Sequence, residues 1–359
     1  MLLASAFFLT QFNWTPPYQK VTEPIEPAKY VAKLNGKTAG IFVDGDLMTF
    51  IGKGKSDPLS IMDWFDTPVH HIDGSDIWIR QAKMKGWDKA FFNYGVKGED
   101  GKIEWLSFRA KHAPKFPEVS KKLQGTVTTY TLASTSLKED RKVYVYLPPN
   151  QPENIPIIVM ADGDSCADFA KVLEPLILKK KIRPIAILGV PSGGYRGPKE
   201  KYVFEDDYRM KEYLKVFDPE RFKSHLDFVC DQVLPWAREK FHLSTKREET
   251  GVFGYSNGGA FAMTAAIDRP EVFGQVFPSS VAVFDEKALK ELASAGTNSH
   301  FYFVAGTLEL FIKNTTSAYN ILTEAKVPCQ LDTFVSGHDL SMWKFGFVQN
   351  AERAFPFVK

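Results

Sequence analysis

The sequence predicts an α/β protein built on a mostly parallel sheet, preceded by a small antiparallel β domain, and two observations carry that reading. After Pro149 the chain alternates apolar strand, loop and helix, whereas from about Gly40 to Arg109 it runs in short alternating or aromatic stretches broken by turns. A third observation locates the chemistry: Gly254-Tyr255-Ser256-Asn257-Gly258 sits between the end of an apolar run and an alanine-rich, helix-like segment.

The early region is read as a β-sandwich. Asp44-Gly45 and the stretch from Gly98 to Gly101 have hairpin chemistry, and helical periodicity is nearly absent between them. The boundary is expected in the linker around Pro114 and Pro117, giving an apolar amino-terminal arm or signal remnant over 1–24, the sandwich over 25–122 and the α/β domain over 123–359. Residues 126–150 read as two strands joined by a charged turn. Beyond them, residues 155–161, 184–190, 251–255, 275–280 and 300–306 are continuous apolar runs of the kind buried on both faces of a sheet. Residues 222–241 carry helical spacing.

Composition sets bounds. With 359 residues the chain is long enough for one large and one small domain. Lys and Arg number 45 against 43 Asp and Glu, a formal charge of +2 that gives no electrostatic basis for nucleic-acid binding. Cys166, Cys230 and Cys329 are odd in number and far apart, which suggests buried thiols rather than disulfides or a metal cluster. No apolar run is long enough for a membrane span. The amino-terminal run lacks a basic start and a clear cleavage site, so the compartment stays open, with the cytoplasm preferred over the periplasm or secretion.

A serine hydroxyl becomes a useful nucleophile only when a base removes its proton, and a sharp strand-to-helix turn holds it where a base can reach. Ser256 has that setting, with Gly254 and Gly258 read as the residues that let strand and helix pack closely around it. In α/β-hydrolases the chain order is serine, acid, histidine. Only His300 and His338 follow Ser256, and His300 opens a strand at its amino-terminal end, so His338 is the expected base. The acid is expected after residues 300–306, at Glu309. Asp339, adjacent to His338, and Asp332 are the competitors, and Asp339 is read as shaping the turn.

The oxyanion requires two N–H donors, expected from Asn257 and from the loop Asp162-Gly163-Asp164 through Gly163 or Asp164. The Asp162 and Asp164 carboxylates are expected to point away from the developing charge or toward a cationic group on the substrate. Arg196, in a loop after the strand 184–190, is read either as a ligand for an anionic or catecholate group or as a partner of Glu200 or Glu205. Trp343 and Met342 either wall an acyl pocket or pack a core. Trp64 and Phe65, in a loop, are expected nearer a substrate than Trp78, which sits in an alternating strand. The basic run Lys179 to Lys181 with Arg183 reads as solvated charge at a helix end.

The combination of residues 254–259, 306–309 and 337–344, preceded by 161–164 and 228–241, resembles the enterochelin esterase group of putative esterases, related to feruloyl esterases and esterase D. Residues 43–52, 74–84 and 91–96 are similar to that group's immunoglobulin-like first domain. The resemblance implies an α/β-hydrolase fold and a Ser256–His338–Glu309 triad, with glutamate where feruloyl esterases carry aspartate. It places Asn257 and residues 162–164 at the oxyanion site, and Arg196 at the position of a family arginine. It further implies a small-molecule ester substrate and no metal or organic cofactor. Acyl transfer to an alcohol would use the same residues, and a siderophore- or carbohydrate-binding protein with a vestigial triad is the reading from another class.

Overall fold

The computed structural model describes residues 15–59 and 67–357. Trp64 and Phe65 lie outside the described residues, as does most of the predicted arm.

Among the described residues, two antiparallel sheets form the amino-terminal part. The first contains β1 (Gln19–Lys20), β2 (Ala39–Asp44), β3 (Leu47–Lys53), β4 (His70–His71) and β5 (Ile77–Lys83), with β3 between β2 and β5. Gly45 turns β2 into β3 at φ 62°, a left-handed conformation that favours glycine. The second sheet pairs β6 (Phe91–Lys97) with β7 (Ile103–Arg109). Their shared core contains Met48 and Phe50 of the first sheet and Phe92 and Tyr94 of the second. The Phe50 and Phe92 rings stack at 5.9 Å.

The larger sheet has eight strands among the described residues. These are β8 (Thr126–Ser134), β9 (Glu139–Leu147), β10 (Ile157–Met160), β11 (Ala186–Gly189), β12 (Thr250–Tyr255), β13 (Gln275–Ser279), β14 (His300–Gly306) and β15 (Cys329–Phe334). Their spatial order is β8-β9-β11-β10-β12-β13-β14-β15. The hairpin β8–β9 joins β11 in antiparallel fashion, and β10 to β14 pair in parallel. This is the α/β-hydrolase arrangement. Every residue of β10, β11 and β12 is buried, as the unbroken apolar runs require when helices cover both faces. Helix starts are encoded locally: the Asp218 side chain accepts from Arg221 N ahead of Pro219, and Asp285 does the same for Ala288 N.

The chain divides into two compact units. One holds the chain up to Lys115 together with Gly306–Leu310 and Thr333–Met342; the other holds Phe116–Ala305, Phe311–Asp332 and the chain from Trp343 onward. The division at Lys115 falls ahead of the boundary expected near residue 122, and the first unit takes in two segments from far along the chain. Leu308 belongs to the same core as Phe50 and Phe92, with Val335 packed against it, and Phe91 N donates to Val335 O at 3.1 Å. The loops after β14 and β15 therefore cohere with the amino-terminal β unit.

Candidate active site

Ser256 stands at the turn between β12 and the helix Asn257–Asp268, at φ 59° and ψ −125°. A non-glycine residue in this region is strained, and the hydrogen bonds around the turn hold it there. Ser256 N donates to Ser279 O at 3.0 Å, while Ser256 O accepts from Gly259 N and Ala260 N. A Cβ on Gly254 would overlap the Gly258 carbonyl, and one on Gly259 would overlap the Ser279 carbonyl. Gly258 is less constrained, since its Cβ would come to 3.1 Å from Ala161 Cβ and from the Asp162 carboxylate. The turn thus demands glycine at 254 and 259, and the assignment of that role to Gly258 is corrected to its neighbour.

His338 and Glu309 come together within the first unit. His338 Nδ1 lies 2.6 Å from Glu309 Oε2, and Glu309 Oε1 accepts from Gly306 N at 2.9 Å. Two backbone bonds join the loops, Thr307 N to Phe334 O at 2.8 Å and Leu308 N to Ser336 O at 3.1 Å. Gly306 lies so close to the Ser336 carbonyl that a Cβ would overlap it. Glu309 is buried while the His338 side chain keeps about a fifth of its surface exposed, so one end of the pair is fixed and the other accessible.

Asp339 turns elsewhere. Its Oδ2 accepts from Asn93 N at 2.7 Å and its Oδ1 from Ser341 N at 2.8 Å, and Ser341 Oγ donates to Asn93 Oδ1 at 3.1 Å. Burial pushes its carboxyl up to about 6, against the lowering effect of these N–H donors. Asp332 pairs with Arg353.

The loop after β10 bends at Asp162, in left-handed conformation at φ 52°. Gly163 is required next, because a Cβ there would overlap the Gly189 and Val190 backbone. The Asp162 carboxylate does not stand alone: Arg209 Nε and one terminal nitrogen donate to its two oxygens, each at 2.7 Å. That bidentate pair neutralises an anion beside the expected oxyanion loop. Asn257 Nδ2 donates to Met210 Sδ at 3.3 Å.

Arg196 is paired with Glu139, at 2.9 Å, and lies over the Tyr208 ring at 4.1 Å, rather than reaching Glu200 or Glu205. Burial pushes the Glu139 carboxyl up, but Arg196, Arg141 and Arg221 outweigh it and hold it at about 2. Trp343 is buried, stacked on Tyr255 at 4.2 Å between ring centres, and its indole N–H donates to Ser280 Oγ at 2.7 Å. Among the described residues no group of His, Cys, Asp and Glu is arranged to hold a metal, and no helix is long and apolar enough to cross a membrane. Sequence reasoning missed Arg209, Glu212 and Tyr213. They lie on a short helix without motif or strong periodicity, and their partners are distant in sequence.

Strand order and elbow together define an α/β-hydrolase. The chain matches the putative esterase family over residues 134–354 and belongs to that family, whose members are hydrolases acting on esters. A curated relative, the uncharacterized protein YjcH of Bacillus subtilis (strain 168), is 24% identical over 200 residues, covering 53% of this chain and 77% of its own. The enterobactin esterase FES from Shigella flexneri has a similar structure, with TM-score 0.68, 17% identity, and coverage of 93% of this chain and 99% of its own. The ferric enterobactin esterase from Salmonella typhimurium gives TM-score 0.69 at 15% identity, over 90% of this chain and 98% of its own. A ferulic acid esterase from Anaeromyces mucronatus gives 0.50 at 17% identity, over 64% and 90%. At these identities the likeness is one of fold.

Proposed function

We propose that this protein is a serine carboxylesterase that hydrolyses a small-molecule ester through Ser256, His338 and Glu309. The observation that carries the reading is the 2.6 Å contact between His338 Nδ1 and Glu309 Oε2, in a chain that also presents Ser256 at a strained strand-to-helix turn. A carboxylate on Nδ1 holds the imidazole in the tautomer whose Nε2 carries the basic lone pair, and it stabilises the imidazolium that forms on proton transfer.

In the proposed sequence Nε2 of His338 takes the Ser256 proton as Oγ attacks the ester carbonyl. The tetrahedral oxyanion is met by the Asn257 N–H and by an N–H of Gly163 or Asp164. Collapse expels the alcohol, which takes its proton from His338, and leaves an acyl-serine. Water, deprotonated by the same imidazole, then releases the acid and restores Ser256. No step requires a metal or organic cofactor. Arg209 supports the oxyanion role by cancelling the Asp162 charge, which would otherwise oppose the developing anion.

The substrate class is a carboxylic ester of the siderophore-lactone or feruloyl type or a related aryl ester, supported by the folds of enterobactin and ferulic acid esterases. Arg196, Asp162, Trp343 and Trp64 remain proposed substrate contacts, and the amino-terminal β unit a proposed immunoglobulin-like domain. Turnover of an aryl acetate, a feruloyl sugar and a triserine trilactone by the wild type and by Ser256→Ala tests the reading. The wild type should hydrolyse at least one of them, and the variant should lose that activity by several orders of magnitude. Near-normal turnover by Ser256→Ala would refute the assignment.

A further inference from the structure

The helix Tyr208–Tyr213 is only six residues long, yet side chains along it reach three loops at the carboxyl edge of the parallel strands. Arg209 grips the Asp162 carboxylate with two bonds of 2.7 Å. Met210 Sδ accepts from the Asn257 side chain at 3.3 Å, and Glu212 Oε2 accepts from Gly193 N at 2.7 Å. Tyr213 makes the most unusual contribution. Its phenolic oxygen accepts from Asp162 N at 2.7 Å and from Ser192 N at 3.0 Å, and its hydroxyl donates to Val190 O at 3.4 Å.

One buried hydroxyl thus makes three bonds to main chain in the loops after β10 and β11. Buried backbone N–H groups must be satisfied, and a turn that enters left-handed conformation at Asp162 has few conformations in which they are. Tyr213 is itself fully buried against Phe261, at 5.2 Å between rings, on the helix that follows Ser256. Burial and the nearby Asp162 push its phenol well above the usual range, so it stays protonated. The hydroxyl is a fixed, neutral bracket between those loops. Gly163 N and Asp164 N follow directly on the N–H it holds.

We infer that Tyr213 is a positioning residue for the oxyanion site, setting the direction of the Gly163 and Asp164 N–H groups by fixing the Asp162 and Ser192 backbones, with Arg209 as a second clamp on the same turn. The inference rests on the reading of Ser256 as nucleophile and of residues 162–164 as an oxyanion loop. Misplacing a donor by a fraction of an ångström sacrifices part of what it contributes to the transition state and leaves ground-state binding little changed.

The test compares full-length wild type, Tyr213→Phe and Arg209→Lys on p-nitrophenyl acetate, with kcat and KM resolved. It also measures inhibition by phenylboronic acid, whose boron bonds to the serine Oγ and carries an oxygen where the oxyanion forms. Tyr213→Phe should lower kcat roughly tenfold to a hundredfold, keep KM within about twofold, and weaken boronate inhibition by a factor matching the loss in kcat. Arg209→Lys keeps the charge but loses the two-pronged grip, and should show the same pattern at roughly fivefold. A purely structural role would lower thermal stability without this parallel between kcat and boronate affinity.

An unchanged kcat in a folded Tyr213→Phe, or a fall in kcat with unchanged boronate affinity, would overturn the inference. If that variant does not fold, Arg209→Lys decides by the same criteria. A wild type that neither hydrolyses esters nor reacts with a fluorophosphonate at Ser256 would instead refute the underlying reading, and the inference with it. A wild type that does both, with two unaffected variants, overturns the inference alone.

Discussion

The imidazole Nδ1 of His338 lies 2.6 Å from Oε2 of Glu309, on two loops that are themselves joined by backbone hydrogen bonds. The adjacent Asp339 makes no such approach, because its two oxygens are taken by Asn93 N and Ser341 N. Geometry therefore separates the two carboxylates. One lies against the histidine, and the other ties the histidine's loop to β6.

Glu309→Gln should lower kcat by roughly a thousandfold or more, as expected when an orienting carboxylate becomes an amide and the imidazole tautomer is no longer enforced. Asp339→Asn should cost roughly tenfold or less, through looser placement of His338. Steady-state kinetics of both variants on one ester at neutral pH decides this. A larger loss in Asp339→Asn would reverse the assignment of roles.

Asp339 also makes a prediction about pH. Its folded-state carboxyl is raised to about 6, above the ordinary aspartate value, so the native protein holds a proton that the unfolded chain has released. Stability from this group is present in acid and is lost as pH rises from about 4 to about 6. The lost stability is on the order of 3 kcal/mol. Asp339→Asn, which cannot ionise, should escape that change. Denaturant unfolding of both proteins at several pH values should show the wild type losing stability relative to the variant across that interval and a constant difference above it. A difference that stays flat from pH 4 to 7 would count against the raised carboxyl.

Much of the fold was readable from the sequence because its signals are local. Strands buried on both faces must be apolar along their buried stretch, as β10 and β11 are throughout and β12 to β14 are through their middles. The sharp turn at Ser256 was readable for the same reason, since strand, serine and helix are consecutive. What escaped was long-range. Asp162 and Arg209, and Asn93 and Asp339, meet across stretches with no periodicity or motif to announce them. Nor does the motif reveal that the loops of Glu309 and His338 cohere with the amino-terminal sheets, because Leu308 and Val335 look like any other apolar loop residues. The shift from Gly258 to Gly259 has a similar cause. The pattern G-x-S-x-G marks a position, whereas the close approach to Ser279 is a property of the neighbouring strand.

The elbow glycines should separate by substitution. Gly254→Ala would drive its methyl group into the Gly258 carbonyl, and Gly259→Ala would do so into Ser279, so each should destabilise by roughly 3 kcal/mol or more. Gly258→Ala meets only the Ala161 methyl and the end of the Asp162 side chain, and should cost about 1 kcal/mol. Urea unfolding ranks the three. Equal losses would mean the turn relaxes more freely than its packing implies.

Glu212 is fully buried and bonds to Arg141, Arg221 and Gly193 N. Glu212→Ala would leave two arginines with one anionic partner fewer and should destabilise by about 3–5 kcal/mol. Arg221→Met, at a partly exposed position, should cost far less. Comparison of their unfolding free energies checks the ordering, and a smaller loss in Glu212→Ala would contradict a central role for this carboxylate.

Ser256 is proposed as a nucleophile activated by His338. Fluorophosphonate modification, read by intact mass and by mapping the modified peptide, tests it most directly. One adduct per chain is expected, located on Ser256, absent in Ser256→Ala and formed far more slowly in His338→Ala. An adduct on another residue, or none under conditions that saturate a known serine esterase, would contradict it.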